Sequence, residues 1–277
     1  MATHGLTPGF GDSFFRRAAE GVAFIGVWVL LGTWMRLTAN TYLLLGIPLT
    51  LFFQLVVRRR PVNSLWVRDA PTPENDAFSW TLALLLAIFP IRVIIAAVVA
   101  RDLIVAGWGA SAVLGAVAAA YALRQFHRET LRHLIYCTVF AGFVGLGILT
   151  IACISPRGNA TASELFRLKV LAKSLFCYFP ACFVLEEVAF RGALDAHLYH
   201  PGQPYPLASA LLTSALWGLW HLPIAANGNL LLSVISLILF HCAIGLPLSL
   251  FWRKSGNLAV PAFGHAMIDA ARNAVLF

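Results

Sequence analysis

Charge is scarce in this chain of 277 residues: Asp, Glu, Lys and Arg together make 12%, against roughly 25% in ordinary soluble domains. A soluble globule of this size needs more charge to clothe its surface, so a water-soluble enzyme is excluded. Disorder is excluded by the opposite excess, 60% hydrophobic residues and a mean hydropathy of +0.79. Cysteine is sparse too. The five that occur (Cys137, Cys153, Cys177, Cys182 and Cys242) lie in apolar runs without a CxxC pair. A disulfide framework or a thiolate metal site is therefore not expected, and packing is their expected role. A cleavable leader is not expected, because residues 1–20 are polar and the first apolar run is too long for an h-region. The net charge of +8 does not point to nucleic acid, since membrane proteins collect Lys and Arg in cytoplasmic loops.

What remains is a chain built for a bilayer. A span needs about 20 apolar residues, and runs of that kind lie near 21–37, 41–57, 79–100, 103–123, 131–154, 166–190, 207–226, 230–252 and 257–276. They lack the alternation of a barrel and must satisfy their own backbone in lipid. The expected fold is all-α, a polytopic membrane bundle of eight or nine transmembrane helices. Extramembrane breaks are expected at 58–78, with a Pro71-Thr72-Pro73 turn, and at 155–164 and 199–206. Basic residues favour a multi-pass protein of the cell (inner or plasma) membrane with a cytoplasmic N-terminus.

The acids divide the chain. Asp12, Glu20, Asp69, Glu74, Asp76, Asp102, Glu129 and Glu164 all flank spans. Beyond residue 165 only Glu186, Glu187, Asp195 and Asp269 remain, with His221, His241 and His265 also inside apolar runs. Ionisable groups at that depth are functional candidates by default. The chain therefore reads as 1–164, helices of unassigned role, and 165–277, where the polar chemistry collects.

Helical spacing orders these residues. On an α-helix Glu187, Arg191 and Asp195 form one stripe on which Arg191 can pair with both acids, while Glu186 points elsewhere and stays unpaired. An unpaired carboxylate in low dielectric suits a general base. Trp217 and His221 share a face, as do His265, Asp269 and Asn273. At ~1.5 Å of rise per residue, Glu186, His221 and His265 can meet in one cavity in the inner-to-middle membrane.

Glu186-Glu187-Val188-Ala189-Phe190-Arg191 resembles the EExxxR motif of the CPBP (CAAX protease and bacteriocin-processing) intramembrane proteases. Trp217…His221 resembles their FxxxH motif, and His265…Asp269 their HxxxN motif. The resemblance covers 165–277 and implies an intramembrane endopeptidase acting on a membrane-associated or CAAX-like peptide. It implies that Glu186 and His221 activate water, that His265 and Asp269 stabilise the oxyanion, and that Glu187 and Arg191 hold the helix in place.

Two residues depart from the pattern. Trp217 replaces Phe and keeps an aromatic wall. Asp269 replaces Asn, and an ionised carboxylate cannot donate to an oxyanion. Asp269 can be protonated, can orient His265, or can help ligate a metal. The expected mechanism uses no cofactor; the alternative is zinc held by Glu186, His221 and His265. The competing reading is a non-catalytic immunity or scaffold protein of the same fold. His241 reads as an interhelical hydrogen bond, and most of the eight tryptophans, Trp217 and Trp220 apart, read as interfacial anchors.

Overall fold

The computed structural model describes residues 14–69, 76–154, 164–203, 205–226 and 228–276. The Pro71–Pro73 turn, nearly all of the 155–164 break and the side chain of Cys153 lie outside them. All the regular structure described is helical. The principal helices are α1 (Phe14–Trp34), α2 (Ala39–Phe52, with a π-turn Phe53–Val57), α3 (Ala77–Val99), α4 (Leu103–Arg124) and α5 (Arg128–Ile154). They continue as α6 (Glu164–Cys182, running on as a π-helix, Phe183–Asp195), α7 (Pro206–Trp220), α8 (Leu230–Ser255) and α9 (Ala259–Leu276).

Six of these helical segments are long and apolar enough to cross a membrane. The protein is thus a multi-pass membrane protein, with fewer such segments than the eight or nine runs read from the sequence. The expected run at 207–226 is cut short: α7 ends at Trp220, and Pro223 follows in a separate turn, Leu222–Ala225. Fifteen residues rise only ~22 Å, less than the ~30 Å of a bilayer core. The sixth run is longer than expected, continuing through the π-helix to Leu198.

Polar residues next to the spans begin the helices. Asp76 accepts from the Ser79 amide at 2.8 Å, and Asp102 accepts from the amides of Ile104 and Val105. Both satisfy donors that an N-terminal turn leaves open. Thr38 and Asn229 cap α2 and α8 in the same way. Gly256, in the left-handed region at φ 63°, closes α8.

Packing follows membrane rules. Large apolar side chains such as Leu84, Val99, Phe143, Leu146 and Leu239 are exposed, the side that lipid would cover. The contact face of α4 is made of small buried residues, among them Ala112, Ala116 and Ala119, which let backbones approach. An aromatic cluster binds the first helices to the later ones. Trp28 stacks on Phe190 and meets Trp220 edge-on, and the Tyr42 hydroxyl donates to the Trp220 carbonyl at 2.8 Å. Trp28 and Trp252 are fully buried, so interfacial anchoring does not describe them.

Candidate active site

The π-helix carries Glu186, Glu187, Arg191 and Asp195. A π-helix bonds i to i+5 and turns more widely than an α-helix, and such segments gather at functional sites. The wider turn undoes the expected stripe. Arg191 keeps Glu187, Nη1 to Oε1 at 2.9 Å, with both side chains fully buried. Asp195 instead takes a two-pronged bond from Arg253 of α8, Nε to Oδ2 at 2.9 Å and Nη2 to Oδ1 at 2.6 Å. The guanidinium of Arg191 lies over the Trp217 ring, 4.2 Å from its centroid.

Glu186 is not unpaired. Its Oε2 accepts from the indole Nε1 of Trp217 at 3.0 Å. The replacement of Phe by Trp at 217 therefore supplies a donor as well as a wall. Trp217 also meets the rings of His265 and His241 edge-on, at 5.0 and 4.7 Å between centroids. One residue further, a Cβ at Gly218 would lie 2.6 Å from the Leu237 carbonyl oxygen, so only glycine lets α7 and α8 come this close.

His221 stands just beyond the end of α7, with Nδ1 2.9 Å from the Trp217 carbonyl oxygen. A carbonyl can only accept, so Nδ1 carries the proton and Nε2 of the neutral ring is an acceptor. The buried ring of His265 is held by Glu187, Nδ1 to Oε1 at 2.8 Å. Its Nε2 faces Asp269 Oδ2 at 3.7 Å and Glu186 Oε2 at 4.0 Å. Asp269 pairs through Oδ1 with Arg272 at 2.9 Å.

These side chains line one cavity of about 90 Å³. Glu186, Trp217, His221, His265 and Asp269 all face it, with Ile148, Phe240 and Ile268 among its apolar walls. A site needs ~10–15 Å³ for one water, so several fit. Glu187 and Arg191 do not line it; they stand behind, Glu187 holding His265 and Arg191 supporting Trp217.

Three residues that sequence reasoning passed over are here. His241 lines the cavity, its ring centroid 4.1 Å from that of His221. The interhelical role expected of it is replaced by a bond to its own helix, Nδ1 to the Leu237 carbonyl at 2.7 Å. Arg272 reaches the same cavity. Cys182, expected only to pack, lies with its Sγ 3.7 Å from Asp269 Oδ2. His241 was the most findable, an ionisable residue inside an apolar run.

One group of side chains could hold a metal ion, and its donor set differs from the expected one. The ligand atoms of Cys182, His265 and Asp269 all lie within 4.8 Å of one another. They pair a thiol, an imidazole and a carboxylate, the ligand types zinc takes.

Comparison with known proteins agrees with the motifs. Residues 169–271 match the family described as type II CAAX prenyl endopeptidase Rce1-like, a family of proteases. The resemblance to the CPBP proteases holds over these residues. No curated protein and no solved structure matches the chain.

Proposed function

We propose that this protein is an intramembrane endopeptidase that hydrolyses a peptide bond of a membrane-associated or CAAX-like peptide with a glutamate-activated water. The observation that carries the reading is the convergence of Glu186, His221, His265 and Asp269 on one small cavity between apolar helices. Glu186, held by the Trp217 indole, takes a proton from water as the oxygen attacks the scissile carbonyl. The unprotonated Nε2 of His221 shares that task. The developing oxyanion is met by Nε2 of His265, which can donate once the ring carries a proton on both nitrogens. Asp269, neutralised by Arg272, orients His265 rather than donating itself. The proton is then delivered to the leaving amine, which closes the balance.

Residues 165–277 form the catalytic core in this reading, and the helices of 1–164 brace it through Trp28, Tyr42 and Arg58. In this reading the N-terminus is cytoplasmic. No metal is needed for these steps. In the alternative, Cys182, His265 and Asp269 would hold zinc, which would supply Lewis-acid polarisation of the carbonyl.

The test is peptide release. Membranes carrying the wild type and the variants Glu186→Gln and His221→Ala are compared for released peptides by mass spectrometry. Products that vanish in both variants, with protein level unchanged, support the reading. Products retained by both would refute it and favour the non-catalytic immunity or scaffold role.

A further inference from the structure

A second and larger cavity, about 420 Å³, lies away from the candidate active site, where the start of α1, the connection after α2 and the end of the π-helix meet. Its size is that of a ligand pocket, ~300–1,000 Å³. Its walls are basic: Arg16 and Arg17 from α1, and Arg58, Arg60 and Arg68 from the connection. Among the described residues only two carboxylates, Glu20 and Asp69, face the same space. Of these, Glu20 is already engaged by His197 at 2.8 Å and by Arg16 at 3.0 Å.

We infer that this cavity binds a phosphoryl anion, presented either as the headgroup of an anionic lipid or as free phosphate. The charge is too concentrated for topology alone. Arg59, in the same run, does not line the cavity, whereas Arg58 and Arg60 on either side of it do. The backbone takes a left-handed turn at Arg59, φ 52°, between them. Among the described residues Arg60 has no carboxylate partner. Guanidinium forks match phosphate oxygens in pairs, and basic pockets between the ends of membrane helices hold lipid headgroups.

The surroundings already record the excess. Arg58 is drawn down to about 10 by burial and by Arg60. His200, on the same wall, is held below the usual histidine range by burial and by Arg17, Arg58 and Arg60. A bound anion relieves both strains.

The cavity also touches the helix of the candidate active site. Arg58 Nη1 donates to the carbonyl of Gly192 at 2.9 Å, one residue after Arg191. At Gly192 a Cβ would lie 2.5 Å from the Leu65 carbonyl oxygen, so the connection is pressed onto the π-helix. An anion seated here would bind the connection and this helix together.

The experiment uses the full-length protein in nanodiscs of phosphatidylcholine, with and without phosphatidylglycerol, and native mass spectrometry to count retained lipid. A detergent arm titrates inorganic phosphate against thermal stability. Three variants are compared: Arg58→Gln/Arg60→Gln, Arg16→Gln/Arg60→Gln, which spares the bond to Gly192, and Arg59→Gln as the neighbour outside the cavity. The expected result is preferential retention of phosphatidylglycerol, or stabilisation by phosphate. Both double variants weaken it by about 30-fold, the worth of two surface arginines, while Arg59→Gln leaves it unchanged. Lipid retention without a phosphate response assigns the headgroup; a phosphate response alone assigns the free anion. Equal retention of both lipids with no phosphate response, or equal losses in Arg59→Gln and the double variants, would overturn the proposal.

Discussion

The indole of Trp217 donates to the carboxylate of Glu186 at 3.0 Å, while the other face of its environment is the Arg191 guanidinium, 4.2 Å from the ring centroid. One side chain thus links the proposed base to the buried ion pair behind it. Trp217→Phe keeps the ring and removes the donor. A hydrogen bond to a charged group is worth ~1.5–3 kcal/mol, so kcat/KM for peptide cleavage is expected to fall by roughly tenfold or more with little change in Tm. Trp217→Leu removes the ring as well and is expected to lower both. An unchanged kcat/KM in Trp217→Phe would show that the bond does not serve catalysis.

Arg253 joins α8 to the π-helix through Asp195, and the pair is buried. Breaking a buried pair by removing one partner costs ~3–5 kcal/mol. Arg253→Ala is expected to lose about that much stability in a thermal or denaturant melt. Arg253→Lys should rescue little, because a single ammonium cannot make both bonds to the carboxylate. A full rescue by lysine would show that charge alone suffices.

At Gly218 the argument is steric. A methyl group there meets the Leu237 carbonyl oxygen at 2.6 Å, and backbone cannot yield as a flexible side chain would. Gly218→Ala is expected to push α7 from α8, lower stability by ~1–3 kcal/mol, and carry His221 out of register with the cavity. Reduced cleavage with a lowered melting temperature is the signature; wild-type values for both would contradict the packing described.

The cap of α3 makes a pH prediction. Asp76 is held below the usual aspartate range, chiefly by its hydrogen bonds to Ser79 and also by Arg124. Its folded pKa is depressed, so its contribution is present above the unfolded value and is lost as pH falls through the folded one. Wild type and Asp76→Asn are expected to differ in thermal midpoint near neutral pH. The difference should begin to shrink as pH falls below the ordinary aspartate value, ~3.9, and vanish only below the depressed folded one. A difference that persists undiminished in acid would mean the cap acts without its charge.

The sequence showed where the candidate site lies because a bilayer penalises ionisable groups. Glu186, His221 and His265 stood out in apolar runs, and all three face the cavity. What stayed hidden depends on geometry that residue spacing does not carry. The π-turns of 183–195 are invisible to an α-helical reading, which offers Asp195 to Arg191, whereas Arg253, nearly sixty residues on, takes it. Cys182 looked like packing because nothing local marks its approach to Asp269. His241 looked structural because one histidine on its own span has no motif partner, yet α7 and α8 pack so closely at Gly218 that its ring meets His221. The number of spans was blurred for a related reason: α7 reads as a full apolar run until Pro223 ends it.

The most direct test of the central claim is cleavage by purified, reconstituted protein with Glu186→Gln, which is isosteric and removes only the base. Candidate membrane-associated and CAAX-like peptides are supplied, and products are identified by mass spectrometry. The account predicts defined cleavage by the wild type, a loss of about a hundredfold to ten-thousandfold in Glu186→Gln, as expected for a general base, and an unchanged melting temperature. Cleavage by Glu186→Gln at the wild-type rate would contradict it.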